Sequence, residues 1–511
     1  MNIKIRHRLS RSKRRVQRRL DKTKRHRGDR PVLAASNIHY EIADRVHGIS
    51  HGGIGAFHLL ARHIGLIDAI DRRLHLLVIH MPYHESDHVL NFAFNSLCGG
   101  TCLQDIELRR NDVNFLDALG AQRIPDPTTA GDFCRRFAAT DIDTLQDTYD
   151  DVRVGVWKQQ PDSFFDRAII DADGTMTATA AEHKEGVDIG YDGTWGYHPL
   201  LVTLANTGEV MRLVNRSGNR PSHEGAADAL DRARATCLRG GFRKILMRGD
   251  TDFSQTKHLD RWNDDGRVSF IFGFDAKQNL KDIAENLPAN AWQTLQRRQL
   301  PEPKTDARRR APNVKDAIVR EREFETLRLQ SEEIAEFPYR PVACRTEFRM
   351  VVIRKNISRE KGELRLFDEI RYFFYITNEW TPKPADIVLA PIGANGRCQQ
   401  ENLIQQIHHG VHALYAPVDT LLSNWAYMVM TSLAWNLKAW AALTLPETGR
   451  WSDKYRAEKR WLLGIEFKTF INALVAIPCQ IVKQARRIVY RVLAYNPHQT
   501  IFFRLLDVLR C

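Results

Sequence analysis

The order of elements between residues 164 and 274 predicts an α/β protein with a mixed sheet. An apolar run, FFDRAIIDADGT, ends in carboxylates, and GYHPLLVTLANTGEVMRLVN follows as two strands joined at Asn206-Thr207-Gly208. A helix capped by Ser222 comes next, and it is followed by the short strand in FRKILMRGD, a further helix and the strand VSFIFGF. Three strands followed by alternating helices and strands are typical of an α/β layer, and they argue against an all-α or all-β chain.

The first 31 residues carry nearly all of the net charge. The chain of 511 residues has a formal charge of +13, and residues 4–30 hold 14 Lys or Arg against two acids. We expect residues 1–31 to be a disordered arm in isolation, because they are too polar to bury a core, and to become helical once phosphates neutralise them. Nucleic acid is the expected partner, although a solubilising or RNA-binding tail would look the same. The candidate phosphate contacts are Arg14, Arg15, Arg18 and Arg19.

Residues 32–155 are predicted to be a helical DNA-binding region. Apolar residues recur at helical spacing from residue 55 onward. The segment DPTTAGDFCRRF predicts a short helix that is capped by Thr128 or Thr129 and carries Arg135 and Arg136. Such a helix suits the second element of a helix-turn-helix, in which it enters a major groove. A capped surface helix without a DNA contact is an equal alternative.

Cysteine and histidine patterns give no metal site that we would assign. The eight cysteines are scattered along the chain, which fits a reducing cytoplasm better than a disulfide framework. His80, His84 and His88 have helical spacing, as zinc ligands often do, but Pro82 interrupts that helix. We therefore expect scattered side chains rather than a zinc site here.

The second half of the chain interrupts the α/β pattern and then returns to helices. Residues 281–380 are predicted to be a mainly β insertion, with strands in EFRMVVIRK and IRYFFYITN. Arg308, Arg309 and Arg310 in this insertion would touch a DNA backbone. Residues 381–450 are expected to complete the core, and residues 451–511 to form a C-terminal helical region. The apolar stretch 421–445 contains polar residues, so we expect a buried helix pair and no membrane span.

Four carboxylates stand at positions where an α/β sheet holds ligands. Asp171 and Asp173 end the first strand, Asp250 ends the fourth, and Glu401 lies in the helix RCQQENLIQQI. Converging carboxylates need a cation, and Mg²⁺ prefers oxygen ligands. Two such ions ~4 Å apart can activate an attacking oxygen and stabilise a leaving one. Turn formation or helix capping by these acids is the structural alternative.

An ordered set of motifs resembles a known family. The segments IDADGT, GYHPL, NRSGNRPSHEGA, RGDTDF and RxxxENLIQQI, in this order, look like the DDE transposases of bacterial insertion sequences. The resemblance covers about residues 85–510. It implies an RNase H-like core over 156–280 and 381–450, with the β insertion placed before the final Glu.

The resemblance also implies roles for individual residues. Asp173 matches the first family acid, with Asp171 as the fallback; Asp250 matches the second, with Asp252 less suited; Glu401 matches the third. Related transposases carry a Tyr, Arg, Glu, Lys series on the last helix, and Arg397 fits the Arg as a DNA contact. The Tyr and Lys positions hold Ala394 and His408, so this chain departs from the family there.

A two-step reaction is implied for such a protein. Water would cut the element end to leave a 3′-hydroxyl, and that hydroxyl would attack target DNA at the same pair of Mg²⁺ ions, for which Mn²⁺ can substitute. The expected partners are terminal repeats and target DNA, bound by a homodimer. The expected location is the cytoplasm of a bacterium, at the nucleoid. A nuclease that cuts without joining, or a non-catalytic DNA-binding relative, is the alternative.

Overall fold

The computed structural model describes residues 3–24, 38–40, 47–80, 82–296, 327–360, 363–484 and 487–509. Arg308, Arg309 and Arg310 lie outside these residues, so their expected DNA contact stays a prediction. The strands, numbered in chain order, are β1 Gly48–Ile49, β2 Arg167–Gly174, β3 Thr177–Ala178, β4 Asp188–Ile189, β5 Trp195–Tyr197, β6 Leu200–Leu204, β7 Glu209–Val214, β8 Lys244–Gly249, β9 Val268–Phe274, β10 Gln293–Thr294, β11 Leu327–Tyr339, β12 Phe348–Glu360, β13 Glu363–Thr377, β14 Cys479–Gln484 and β15 Arg487–Val492.

A nine-stranded mixed sheet forms the centre of the molecule. Its order is β10-β11-β12-β13-β9-β8-β2-β6-β7. Strands β2, β6 and β7 form an antiparallel meander, and β8 and β9 then run parallel to β2. The prediction of an α/β fold with a mixed, RNase H-like sheet is confirmed. The parallel pairing of β2 with β8 places the carboxyl ends of both strands at the same edge of the sheet.

The insertion extends this sheet instead of forming a separate one. Strand β13 pairs with β9, with Phe374 opposite Phe274, and β12, β11 and β10 follow outward as antiparallel neighbours. The predicted strands EFRMVVIRK and IRYFFYITN lie in β12 and β13. The chain therefore leaves the core after β9 and returns to it beside β8. The segment that carries the remaining candidate residues, Arg397 and Glu401, begins there.

Helices cover the sheet and form the region that precedes it. Their bounds are Ile3–Lys24, Ile54–His63, Leu66–Arg73, Glu85–Leu97, Ile106–Arg110, Val113–Leu119, Pro127–Cys134, Ala139–Trp157, Ala226–Gly240, Leu259–Asp264, Gln278–Glu285, Pro384–Leu389, Cys398–Gln405, Leu421–Thr444, Ser452–Gly464, Phe467–Phe470 and Gln499–Leu509.

The helix Leu421–Thr444, called the central helix below, is a single buried element. A helix pair is expected here from the polar residues of the sequence, but no Gly or Pro interrupts these 24 residues, and Thr420 caps the start by accepting from the Ser423 backbone N–H. The central helix packs against Glu85–Leu97, Ala139–Trp157 and β7, so it joins the helical region to the sheet. None of the helices in the described residues combines the length and the apolar content needed to span a bilayer.

The two ends of the chain differ from the expectations. Residues Ile3–Lys24 form a helix, called the basic helix below, where a disordered arm is expected. The segment contains no Gly or Pro and consists largely of Arg, Lys and Leu, which favour helix without any bound phosphate. The region 451–511, predicted to be helical, also contains the hairpin β14–β15. Strand β1 pairs with β14 and closes a small three-stranded sheet.

Candidate active site at the carboxyl edge of the sheet

The fold brings Asp173 and Asp250 to one place. Asp173 lies one residue before the end of β2, and Asp250 directly follows the adjacent parallel strand β8. The Asp250 carboxylate accepts a hydrogen bond from the Asp252 backbone N–H (3.1 Å) and so caps the turn Thr251–Phe253. Its second oxygen remains available to the site. Both side chains are placed by the carboxyl ends of neighbouring strands, as the sequence predicts.

Arg397 lies between these two carboxylates. Its Nη1 donates to Oδ2 of Asp173 at 2.8 Å, and its Nη2 lies 3.8 Å from Oδ2 of Asp250. Because both nitrogens belong to one planar guanidinium, the two carboxylate oxygens can be no more than about 9 Å apart. The Arg397 guanidinium thus supplies part of the positive charge that two neighbouring carboxylates require.

Burial makes it energetically costly for Asp173 and Asp250 to carry negative charge. Burial raises the pKa of Asp173 to about 6, with Arg397 acting against the rise and Asp250 adding to it. Burial also raises the pKa of Asp250, again against the effect of Arg397. One guanidinium therefore does not fully compensate the two acids. A site of this kind gains from a cation of higher charge.

Asp171 is committed to a different partner. It is 1% exposed, and its two oxygens accept from Nε and Nη2 of Arg248, both at 2.7 Å. Arg248 also donates to the carbonyl oxygens of Pro391 (3.3 Å) and Gly393 (3.0 Å). Because Arg248 engages both of its carboxylate oxygens, Asp171 is placed as a structural residue. Arg248 in turn fixes the loop that leads to Arg397.

Glu401 lies in the helix Cys398–Gln405, one turn beyond Arg397, and its side chain is exposed. Gln400 fixes that helix against the sheet, since its Nε2 donates to the carbonyl oxygens of Asp171 (3.1 Å) and Leu201 (3.3 Å). Within the described part of the chain, no three His, Cys, Asp or Glu side chains form a group able to hold a metal ion. In this conformation Asp173, Asp250 and Glu401 therefore do not form such a group, and the role of Glu401 as the third acid stays a prediction.

The other candidate residues lie elsewhere. Arg135 and Arg136 follow the helix Pro127–Cys134 instead of being part of it, and Asp126, not Thr128 or Thr129, caps that helix. Arg135 pairs with Asp132 (2.8 Å) and Asp419 (2.9 Å), so its charge is already compensated. Arg136 is exposed, as are Arg14, Arg15, Arg18 and Arg19 along the basic helix.

Ala394 and His408, which stand at the Tyr and Lys positions of the family series, lie outside the regular helix Cys398–Gln405. Ala394 opens the turn Ala394–Arg397, and His408 lies in a π-helical turn, Gln406–Gly410, where its ring stacks on His409 at 4.3 Å. Burial lowers the pKa of His408, and the neighbouring His409 lowers it further. His408 is therefore a weaker cation at neutral pH than the Lys that the family pattern has at this position.

His198 and Arg216, which lie in the family motifs GYHPL and NRSGNRPSHEGA, are also found at this edge of the sheet. A Cβ on Gly174 would lie 2.7 Å from Nε2 of His198, whose Nδ1 donates to the Arg220 carbonyl oxygen at 2.8 Å. A carbonyl only accepts, so Nδ1 carries the proton and Nε2 is left as an acceptor beside Gly174. Arg216 donates to the His198 carbonyl oxygen at 2.8 Å, and its Nη2 is buried without a hydrogen-bond partner in the described structure.

The contacts of Arg248, Gln400, His198 and Arg216 are not predicted from the sequence. One signal was available for Arg248, because an arginine inside the apolar strand KILMRG requires a buried partner. Gln400, His198 and Arg216 lie in the family motifs, but the residues next to them in the sequence do not indicate which side chains they contact.

The mixed sheet has the strand order of an RNase H-like fold, and two acids lie at the carboxyl ends of its central parallel strands. These two features define an α/β protein with a carboxylate site at the edge of an RNase H-like sheet. The family model described as transposase DDE domain group 1 matches residues 44–511, and the chain belongs to that family. No curated protein matches the sequence. Among solved structures, a cryo-EM structure of the piggyBac transposase synaptic complex with hairpin DNA is similar at 9% identity and a TM-score of 0.35, over 82% of this chain and 80% of that chain.

Proposed function

We propose that this transposase binds the ends of a mobile DNA element and catalyses metal-dependent strand cleavage followed by strand transfer. The observation that carries the proposal is the pair Asp173 and Asp250, held on adjacent parallel strands around one guanidinium. Membership of the DDE transposase family supports the same reaction class. Asp173, Asp250 and Glu401 are the proposed catalytic acids.

The donor set fits a divalent cation. Asp173 and Asp250 offer hard oxygen ligands. Burial raises the pKa of both despite Arg397, so a bound cation would lower the cost of their negative charge. Asp173 and Asp250 would hold Mg²⁺ or Mn²⁺, with Glu401 as the third proposed ligand. When bound, these ions activate the attacking oxygen and stabilise the leaving oxygen of a phosphodiester.

The chain's own residues position the DNA. Arg397 would exchange its carboxylate partners for a phosphate of the reacting strand, which a planar guanidinium can bind through two hydrogen bonds. The Arg248 pair with Asp171 keeps the Arg397 turn above β2 and β8, and Gln400 keeps the Glu401 helix against the sheet. Water attacks first and releases a 3′-hydroxyl, and that hydroxyl then attacks target DNA.

DNA contacts outside the site are assigned to the basic helix and the helical region. Arg14, Arg15, Arg18 and Arg19 are exposed along one continuous helix and would contact phosphates. Arg136 would add a contact from the helical region, whereas Arg135 must first leave two carboxylates. A homodimer on DNA is proposed as the active assembly.

The test is a reaction of purified protein with Mg²⁺, labelled DNA carrying the element ends, and a target plasmid. The wild type is expected to nick the ends and join them to the plasmid. Asp173→Asn, Asp250→Asn and Glu401→Gln should each abolish both steps and leave end binding unchanged, because each removes one charge and keeps the shape. Asp252→Asn is the matched control, since Asp252 is exposed and adjacent.

Two results would contradict the proposal. Cleavage without joining would identify a nuclease, and full activity of Asp250→Asn would remove the carboxylate pair from the mechanism. A variant that also loses DNA binding enters this comparison only when its thermal unfolding matches that of the wild type.

A further inference from the structure

A cavity of about 520 Å³ lies between the basic helix and the C-terminal part of the chain. The basic helix contributes Arg6 and Lys13, and the C-terminal part contributes Trp451, Tyr455, Tyr495 and Arg504. None of its lining residues belongs to β2, β8 or the Glu401 helix. The cavity is therefore separate from the carboxylate site and has no role in the reaction described above.

The lining of the cavity is positively charged. Arg6, Lys13, Lys454 and Arg504 face a single acid, Glu458, which already pairs with Arg504 and lies 3.7 Å from the Lys454 ammonium. The Nε and Nη2 atoms of Arg504 are buried and have no hydrogen-bond partner in the residues that the structure describes. With no second acid among the described lining residues, part of the positive charge of the cavity stays uncompensated, which favours an anion such as phosphate.

Aromatic rings line the same cavity. Trp451 is 54% exposed, and Tyr455 packs under the Arg504 guanidinium at 3.7 Å. Aromatic faces beside cations are how proteins bind nucleic-acid strands whose bases are unstacked. A duplex hides its base faces within its own stack, so rings inside a concave cavity can be used only by an unpaired nucleotide.

We propose that this cavity binds an unpaired stretch of DNA, with phosphates at Arg6, Lys13 and Arg504 and a base against Trp451. The choice of DNA rests on the proposed function, but the binding does not require the carboxylates or a metal. Residues 1–31 contain no Phe, Trp or Tyr that could stack on a base. The aromatic rings of the cavity come instead from the other end of the chain, as Trp451, Tyr455 and Tyr495.

The test measures binding of a fluorescein-labelled single-stranded oligodeoxythymidine to the metal-free, full-length protein. Two charge-matched variants are compared: Arg6→Gln with Lys13→Gln, and Arg8→Gln with Arg11→Gln. Both remove two charges from the same helix, but Arg8 and Arg11 do not line the cavity. The first pair is expected to lower affinity several-fold more than the second. Trp451→Ala should lower it ~10-fold, and Trp451→Phe should retain most of it.

A second measurement locates the strand directly. Photocrosslinking with 5-iododeoxyuridine in the oligonucleotide is expected to label peptides that contain Trp451, Tyr455 or Tyr495. Equal losses for the two charge-matched pairs, unchanged binding by Trp451→Ala, or tighter binding of a duplex of the same length would each overturn the proposal. Normal cleavage with these negative results would refute the cavity alone. The expected losses without any cleavage would refute the proposed reaction alone.

Discussion

Asp173 is the residue whose ionisation the folded chain opposes most clearly at the candidate site. Burial raises its pKa from an ordinary 3.8 to about 6, so the folded protein holds its proton more tightly than the unfolded chain does. Stability from this group is therefore complete below about pH 4 and is lost as pH rises through 6. At neutral pH the metal-free protein carries the full cost of a buried charge.

Asp173→Asn is expected to stabilise the metal-free protein at pH 7, by up to about 3 kcal/mol, because the amide carries no charge. The gain should vanish at pH 4, where the wild-type carboxyl is already protonated. Urea unfolding in the presence of EDTA at both pH values measures this, with the exposed Asp252→Asn as the control. A variant less stable than wild type at pH 7 would show that the Arg397 contact outweighs burial.

Asp171→Asn is expected to have the opposite effect. It removes the charge that Arg248 meets inside the protein, and a buried pair broken on one side costs about 3–5 kcal/mol. Thermal unfolding should show a clear fall in Tm. Replacing both residues with apolar ones, Asp171→Leu with Arg248→Met, should recover part of the loss. Equal stability of Asp171→Asn and wild type would mean that the pair contributes nothing to folding.

At the scale of elements, the basic helix is a separate source of DNA affinity. Deleting residues 1–31 is expected to reduce the slope of log affinity against log salt and to leave discrimination of the element end unchanged, because its Arg and Lys side chains reach phosphates. Titrations at several salt concentrations, with end-containing and unrelated duplexes, measure both quantities. Lost discrimination with an unchanged slope would identify the helix as a sequence reader.

How far the elements follow from the sequence depends on how local their causes are. Strands β2, β6, β7, β8 and β9 are encoded by apolar runs and turn residues, and their ends carry the predicted acids. The pairing of β13 with β9 is not encoded locally, because any edge strand can accept a neighbour. The helix Ala226–Gly240 begins after Gly225, at a positive φ of 74°, and not at Ser222, where the sequence alone places its cap. The Arg248 contacts likewise join segments that are distant in the chain.

At the scale of the whole molecule, Glu209 connects the helical region, the sheet and the central helix. Its carboxylate accepts from Arg153 (2.9 Å), Trp157 (2.9 Å), Trp440 (2.8 Å) and Thr207 (2.6 Å), and it is fully buried. Three of these donors belong to helices packed on β7. The layers of the molecule thus share one buried acceptor.

Glu209→Ala is therefore expected to destabilise the protein by several kcal/mol, about 3–5, because it leaves a buried arginine and two indole N–H groups without their acceptor. Glu209→Gln should cost less, since its carbonyl still accepts. Denaturant unfolding followed by tryptophan fluorescence measures both. A smaller loss for Ala than for Gln would contradict the assigned role.

The pairing of β1 with β14 has a consequence for biosynthesis. Gly53 packs so closely on the segment before β14 that a Cβ there would lie 1.9 Å from the Leu474 carbonyl oxygen, so this turn is shaped by residues translated much later than itself. A nascent chain that has not yet emerged as far as β14 cannot close the small sheet, and a product truncated before β14 never can. Such chains would then remain exposed to cellular proteases, whereas a chain that includes β14 gains protection when the two segments pair.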